Sequence, residues 1–201
     1  MPDRLRILNV TPYCPAPLRH GGQTLVFHRI KALSACTDID LVAPAPDRAD
    51  DQDAARALLA PHCKRILTGA LQPPPSRLHQ VWTHVRGSVS GLSAAGLMAR
   101  RGGLVQSVAQ ALETGTYDLI LLDHVYLAEL LREPLAAYAR IPVVLAEQNV
   151  EHLVARDMGR DPQSSAWRRA MWRIQSRALC QLERRHYPRA AGVIHISPVD
   201  A

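Results

Sequence analysis

With 201 residues, 47% of them hydrophobic and 21% charged, the chain has the makeup of one globular α/β domain and not of a disordered or low-complexity protein. Its net charge of +6 rests almost wholly on arginine, Lys31 and Lys64 being the two lysines, and favours anionic partners. No apolar run approaches the ~20 residues of a bilayer span, and Cys14, Cys36, Cys63 and Cys180 form neither a CxxC pair nor a zinc-type cluster.

The cysteines therefore read as free thiols in a reducing compartment. The N-terminus runs directly into an apolar segment with no signal-peptide pattern, so the expected location is the cytoplasm.

In chain order, Ile7, Leu8 and Val10 form a first strand. A loop with Pro12, Pro15, Pro17 and the pair Gly21-Gly22 follows, and then Leu25, Val26, Ile30 and Leu33 recur at helical spacing. Strand, glycine-bearing loop, helix is an arrangement that aims backbone N–H groups at an anion such as phosphate. It is neither GxGxxG nor GxxxxGK[ST], so the dinucleotide and ATP fingerprints are absent, and a plain strand-to-helix turn is the alternative. Cys14 in this loop suits a small loop residue better than a catalytic thiol.

Ile39, Leu41 and Val42 make a second strand, ended by Pro44 and Pro46, and residues 50–60 a helix with an acidic start. Residues 65–67 are a short third strand, and Pro73-Pro74-Pro75 forces an extended segment. Residues 76–102, with Leu78, Val81, Trp82 and Val85 on one face, suit two short helices over one end of the sheet. Residues 104–112 read as a helix. Residues 117–122 are the clearest strand, apolar on both faces as in the middle of a parallel sheet. That strand ends in Asp123-His124 and leads to a helix expected over 127–138. Residues 141–146 form another buried strand, ending in Glu147-Gln148-Asn149. A long helix spans 164–187 with a buried stripe expected at Trp167, Met171, Ile174, Ala178 and Leu182. Residues 192–197 are the last strand, and Ser197-Pro198 opens a further helix.

Alternating strands and helices predict a Rossmann-like doubly wound parallel sheet, helices on both faces, as one domain over residues 1–201. Such sheets bind ligands at the C-terminal ends of their strands. That rule gathers the loop at Gly21-Gly22, the pair Asp123-His124 and the run Glu147–Asn149 into one crevice. His124 can donate or accept a proton near neutral pH or hydrogen-bond a sugar hydroxyl; a histidine at a helix start with no such task is the alternative. Glu147 can accept from hydroxyls or cap the next helix. Asn149 can face a ligand or cap a helix starting at Val150, with Glu151 explained by the helix dipole alone. The nine arginines between Arg156 and Arg189, against Asp157, Asp161 and Glu183, form either a solvated face or a patch for anionic lipid or a phosphorylated substrate. Without aromatic interleaving or a helix-turn-helix, nucleic acid is not an expected partner.

Four stretches together resemble the N-terminal half of a GT-B glycosyltransferase of the family 4 type. ILNVTPYCPAPLRHGGQTLVFHRIKAL is similar to that family's first strand, glycine pair and first helix. YDLILLDHVYLAELL is similar to its central strand ending near a histidine. IPVVLAEQNVEHLVARDM resembles the next strand and its polar end, where relatives often carry histidine in place of Gln148. ERRHYPRAAGVIHISPVDA resembles the arginine-rich helix and last strand before a second domain. The resemblance implies a retaining enzyme with a nucleotide sugar as co-substrate and no metal or other cofactor. It implies that Gly21, Gly22 and Gln23 lie near the donor phosphates or the acceptor, that His124 lines the reaction centre as the catalytic residue, and that Glu147 and Asn149 face the acceptor crevice. The acceptor would be a sugar or lipid-linked sugar, with peripheral contact at the anionic inner membrane face. The C-terminal, donor-binding domain is absent from the sequence, so the chain alone is expected to be inactive. A binding module that keeps the fold without catalysis is the other functional class. A nucleotide-binding oxidoreductase is a third, disfavoured by the missing GxGxxG.

Overall fold

The central apolar runs seen in the sequence, at residues 7–10, 39–43 and 120–122, become strands because each buries both its faces. The computed structural model describes residues 4–46, 48, 50–69, 103–131 and 140–197. Strands β1 (Leu5–Val10), β2 (Thr37–Pro44), β3 (Arg65–Gly69), β4 (Leu119–Asp123), β5 (Val143–Ala146) and β6 (Gly192–Ile194) form one sheet in the order β3-β2-β1-β4-β5-β6. Every neighbouring pair is parallel. The described helices are α1 (Gly21–Leu33), α2 (Asp51–Leu59), α3 (Leu104–Thr114), α4 (Glu151–Met158) and α5 (Ala166–His186), with a 3-10 helix at Val125–Leu131.

Side chains alternate across the sheet, and the alternation sorts the helices onto two faces. Leu8, Val10, Val42, Ile120, Leu122 and Leu145 point to the side where Val108 of α3 and Leu179 and Leu182 of α5 pack. Ile39, Leu41 and Ala43 point the other way, against Val26, Phe27 and Ile30 of α1 and Ala55 and Leu59 of α2. Ile7, Leu121 and Ala146 share that second side with Leu33. This is the doubly wound α/β arrangement expected from the sequence.

Several boundaries differ from expectation. The glycine pair is not in the loop: α1 begins at Gly21, capped by the His20 imidazole, which accepts from the Gln23 N–H at 3.3 Å. After β4 the chain makes a 3-10 helix over Val125–Leu131 in place of the α-helical start predicted from periodicity, and residues 132–138 of that helix lie outside the described residues. The expectations for 73–102 and for a helix from Pro198 also fall outside them. In α5 the stripe is partly wrong. Ala178 and Leu182 are buried, but Trp167 is 58% exposed, Ile174 is exposed too, and burial begins only at Gln175. In the first half of the helix Trp172 packs, partly buried, against the core, while Trp167 and Ile174 are turned away from it. The last strand is three residues long, and Ile194 and Ile196 are exposed at the sheet's edge.

Candidate functional site

The strand order reverses direction between β1 and β4, which lie side by side. In an open parallel sheet the two crossovers leave this point on opposite faces, and a crevice opens above the strand ends. The loop after β1, the residue after β4 and the turn after β5 meet there.

His124 is the first residue past β4. Its φ of 74° is the one positive value at a non-glycine among the described residues. Such a backbone costs of order 1–3 kcal/mol and persists only where the surroundings hold it. Here its N–H donates to the Ala146 carbonyl at 3.0 Å and its carbonyl accepts from the Leu127 N–H at 3.1 Å. The buried imidazole stacks on the Tyr126 ring, centroids 4.9 Å apart, and meets the Tyr13 ring edge-on at 6.1 Å. Its Nδ1 lies 3.3 Å from Glu151 Oε1, in ion-pair range but not aligned as a hydrogen bond.

Tyr13 links this histidine to the glycine pair. Gln148 donates through Nε2 to the Tyr13 hydroxyl, joining the loop after β1 to the turn after β5. The bridge lies against Gly22: a Cβ there would stand 2.7 Å from the Tyr13 hydroxyl and 2.8 Å from Gln148 Oε1. Gly22 therefore permits a close approach that any side chain would obstruct. Gly21 has open space around it. Gln23 is committed to the loop, donating to the Cys14 carbonyl at 3.0 Å and accepting from the Arg19 N–H at 2.9 Å. Beside it a cleft of about 140 Å³ is lined by Tyr13, Cys14, Arg19, His20, Gln23 and Asp51, among others.

Below the crevice floor sit buried charges. Asp123, 0% exposed, accepts from Asn9 Nδ2 at 3.1 Å and is paired with Arg29, whose own pKa is lowered by burial. Glu183 holds His152 twice, through the backbone N–H at 3.0 Å and through Nδ1. Glu147 has no such partner. It is 1% exposed, and neither carboxylate oxygen makes a hydrogen bond of good geometry. Burial, and then the charges of Glu151 and Glu183, push its pKa up to about 8, against the opposing pull of the Val125 N–H and Arg29. It is a neutral acid at neutral pH. Burial first, and then Glu151 beside Tyr126 and Glu183 and Glu151 beside Tyr187, raise the phenols of those two tyrosines.

The structure thus brings Gly22, His124 and the turn after β5 together through Tyr13 and Gln148. Gly21 and Gln23 stand at the same helix start. Asn149 is exposed and caps nothing: α4 starts at Glu151, with Val150 at the cap position and no side-chain cap bond. Glu147 does not cap α4 either. Sequence reasoning places Gln148 in the crevice run without giving it a role, and misses Tyr13, Arg29 and Tyr126. Only the aromatic and amide character of Tyr13 and Gln148, flanking strand ends, hints at them. Among the described residues no group of three or more His, Cys, Asp or Glu can hold a metal ion, and no helix is long and apolar enough to cross a membrane.

No family model matches the sequence, and none of the curated proteins compared with it matches. Among solved structures the chain is similar to a UDP-glucose: anthocyanidin 3-O-glucosyltransferase in complex with UDP, at 12% identity and a TM-score of 0.48. The superposition covers 100% of this chain and 54% of the other, so the chain spans about half the length of that glucosyltransferase.

Proposed function

We propose that this chain is the acceptor-binding half of a nucleotide-sugar-dependent, retaining glycosyltransferase of GT-B type, acting on a sugar or lipid-linked sugar in polysaccharide or glycolipid synthesis. The reading is carried by His124: a buried imidazole on a left-handed backbone at the strand-order reversal, fixed between the Tyr13 and Tyr126 rings. The four stretches that resemble family 4 enzymes support it.

In this reading the chain's residues divide the work. His124 orients or deprotonates an acceptor hydroxyl, an imidazole nitrogen being able to accept its proton. Tyr13 and Gln148 hydrogen-bond acceptor hydroxyls when their mutual bond opens. The N–H groups of Gly21 and Gly22, with the α1 dipole, stabilise phosphate oxygens. Glu147, kept neutral, can donate a hydrogen bond where a carboxylate could not. A second domain supplies the main grip on the nucleotide, and the arginines of α4 and α5 offer a peripheral contact with anionic lipid.

Titration of the chain with mono- and disaccharides and with nucleotide sugars, followed through backbone amide shifts, tests the assignment. Saccharides are expected to perturb Tyr13, His124 and Gln148 in one saturable transition, and free nucleotides to bind weakly or not at all. Tight binding of a nicotinamide dinucleotide in the crevice would replace the transferase reading with the oxidoreductase one.

A further inference from the structure

We propose that Glu151 is a positioning residue for His124: its carboxylate fixes the imidazole through Nδ1 and leaves Nε2 as the nitrogen offered to an acceptor hydroxyl. The proposal deepens the glycosyl-transfer reading above and rests on it for the identity of the ligand.

Glu151 opens α4, directly after the turn that carries Gln148 and Asn149. The helix start is anchored rather than free. The neighbouring His152 N–H donates to Glu183 Oε1 at 3.0 Å, and Ser176 Oγ of α5 donates to the His152 carbonyl at 2.8 Å. The carboxylate is thus delivered to the imidazole by an element packed on the core. Its Oε1 stands 3.3 Å from Nδ1, and the two side chains are 19% and 7% exposed. Tyr126 stacked on one side and Tyr13 edge-on fix the ring plane, so the contact with Glu151 decides which ring nitrogen faces which way.

The other acids around the ring are otherwise occupied. Asp123 is taken by Arg29 and Asn9, and Glu183 by His152. Glu147 is uncharged at neutral pH because it is buried beside both remaining glutamates. Glu151 is therefore the carboxylate left for the imidazole among the described residues. A neutral imidazole carries its single proton on the nitrogen that has an acceptor. Glu151 Oε1, 3.3 Å from Nδ1, is the acceptor within reach on that side; turning this contact into an aligned hydrogen bond places the proton on Nδ1, and the Nε2 lone pair is left to accept from a hydroxyl. The helix-dipole explanation of Glu151 requires only a negative charge in the first turn and makes no demand on the histidine ring.

The two explanations separate in the ¹⁵N spectrum of the histidine side chains of the labelled chain, recorded at neutral pH, where Glu147 keeps its proton. His124 is expected as the Nδ1–H tautomer in the wild type. Glu151→Gln retains an acceptor oxygen at the same reach and should keep that tautomer. Glu151→Asp preserves the helix-terminal charge but is one methylene too short; His124 should revert to the Nε2–H form that free imidazole prefers. Glu151→Ala should revert in the same way, and should the alanine variant fail to fold, the aspartate variant carries the test. An Nε2–H tautomer in the wild type, or an unchanged Nδ1–H tautomer in Glu151→Asp, overturns the proposal. A wild-type Nδ1–H tautomer in a chain that ignores every saccharide refutes the transfer function and leaves the Glu151–His124 pairing standing.

Discussion

The two edges of the sheet handle their polar groups in opposite ways. At the N-terminal edge the polar groups close on one another. Buried Asp40 accepts from Arg65 Nε at 2.9 Å and from the Tyr117 hydroxyl at 2.8 Å, and Arg65 in turn donates to that hydroxyl at 2.7 Å and to Thr114 at 2.8 Å. Asp118 accepts from the Arg6 N–H at 2.8 Å, and Asp38 pairs with Arg4 at 3.0 Å. At the C-terminal edge the bonds stay open: both Glu147 oxygens, Arg29 Nε and His124 Nδ1 lack a well-aligned partner. An unsatisfied buried group costs about 1–3 kcal/mol, so such a concentration is tolerated where a ligand completes the bonds. The lesson is a contrast: the lower edge closes its polar groups on one another and holds the sheet in register, and the upper edge leaves buried groups without aligned partners, where the proposed acceptor would bind.

Breaking the lower edge should give the largest effect on stability and none on binding. Asp40→Ala strips Arg65 and Tyr117 of their shared acceptor and should cost about 3 kcal/mol in urea denaturation, at the low end for a buried pair because Arg65 is partly exposed. Saccharide affinity in the folded fraction should be unchanged. A loss below about 1 kcal/mol would show that the network is no more than a surface ornament.

The upper edge should respond to pH instead. The folded pKa of Glu147, about 8, lies above its ordinary 4.5, so the folded state holds a proton that the unfolded state releases. Wild-type stability from this group is full below about pH 4.5 and is lost as pH rises toward and through about 8. Glu147→Gln is permanently neutral. It should match the wild type at pH 5 and exceed it by on the order of 2 kcal/mol at pH 9, since a tenfold difference in proton affinity between the folded and unfolded states is worth about 1.4 kcal/mol before relaxation and water entry reduce it. Parallel curves for the two proteins across that range would mean that Glu147 is ionised and solvated.

The smallest change sharpens the contrast within the glycine pair. Gly22→Ala drives a methyl group into the Tyr13–Gln148 bridge, and should weaken saccharide binding roughly tenfold, the equivalent of one hydrogen bond. Gly21→Ala meets open space and should leave affinity within about twofold. Both should melt within a few degrees of the wild type, because the side-chain ends at Gly22 can swing aside and alanine suits a first helical turn. Equal affinities for the two variants would remove Gly22 from the site.

Much of this was legible in the chain itself. The run LILL and its neighbours, apolar at consecutive positions, could only be strands buried on both faces. The alternation of such runs with amphipathic segments dictated a doubly wound parallel sheet, and with it the shared edge for the glycine pair, His124 and Glu147. These are local patterns, and local sequence encodes them because periodicity decides which face is apolar. Tertiary structure alone decided the rest. The bond between Tyr13 and Gln148 spans 135 residues, and no spacing announces it. That Gly22 and not Gly21 needs to be glycine depends on what those two side chains do above it. The buried side of α5 depended on which face the core takes: Trp172, Leu179 and Leu182 turn to it, and Trp167 and Ile174 are exposed although their periodicity is faultless. Glu147 is an acid like any other in the sequence; its raised pKa comes first from the water that packing removes and then from two glutamates on separate helices. Pairings of short polar side chains carry no periodic signature, so they come into being only when the crossovers bring distant loops to one edge.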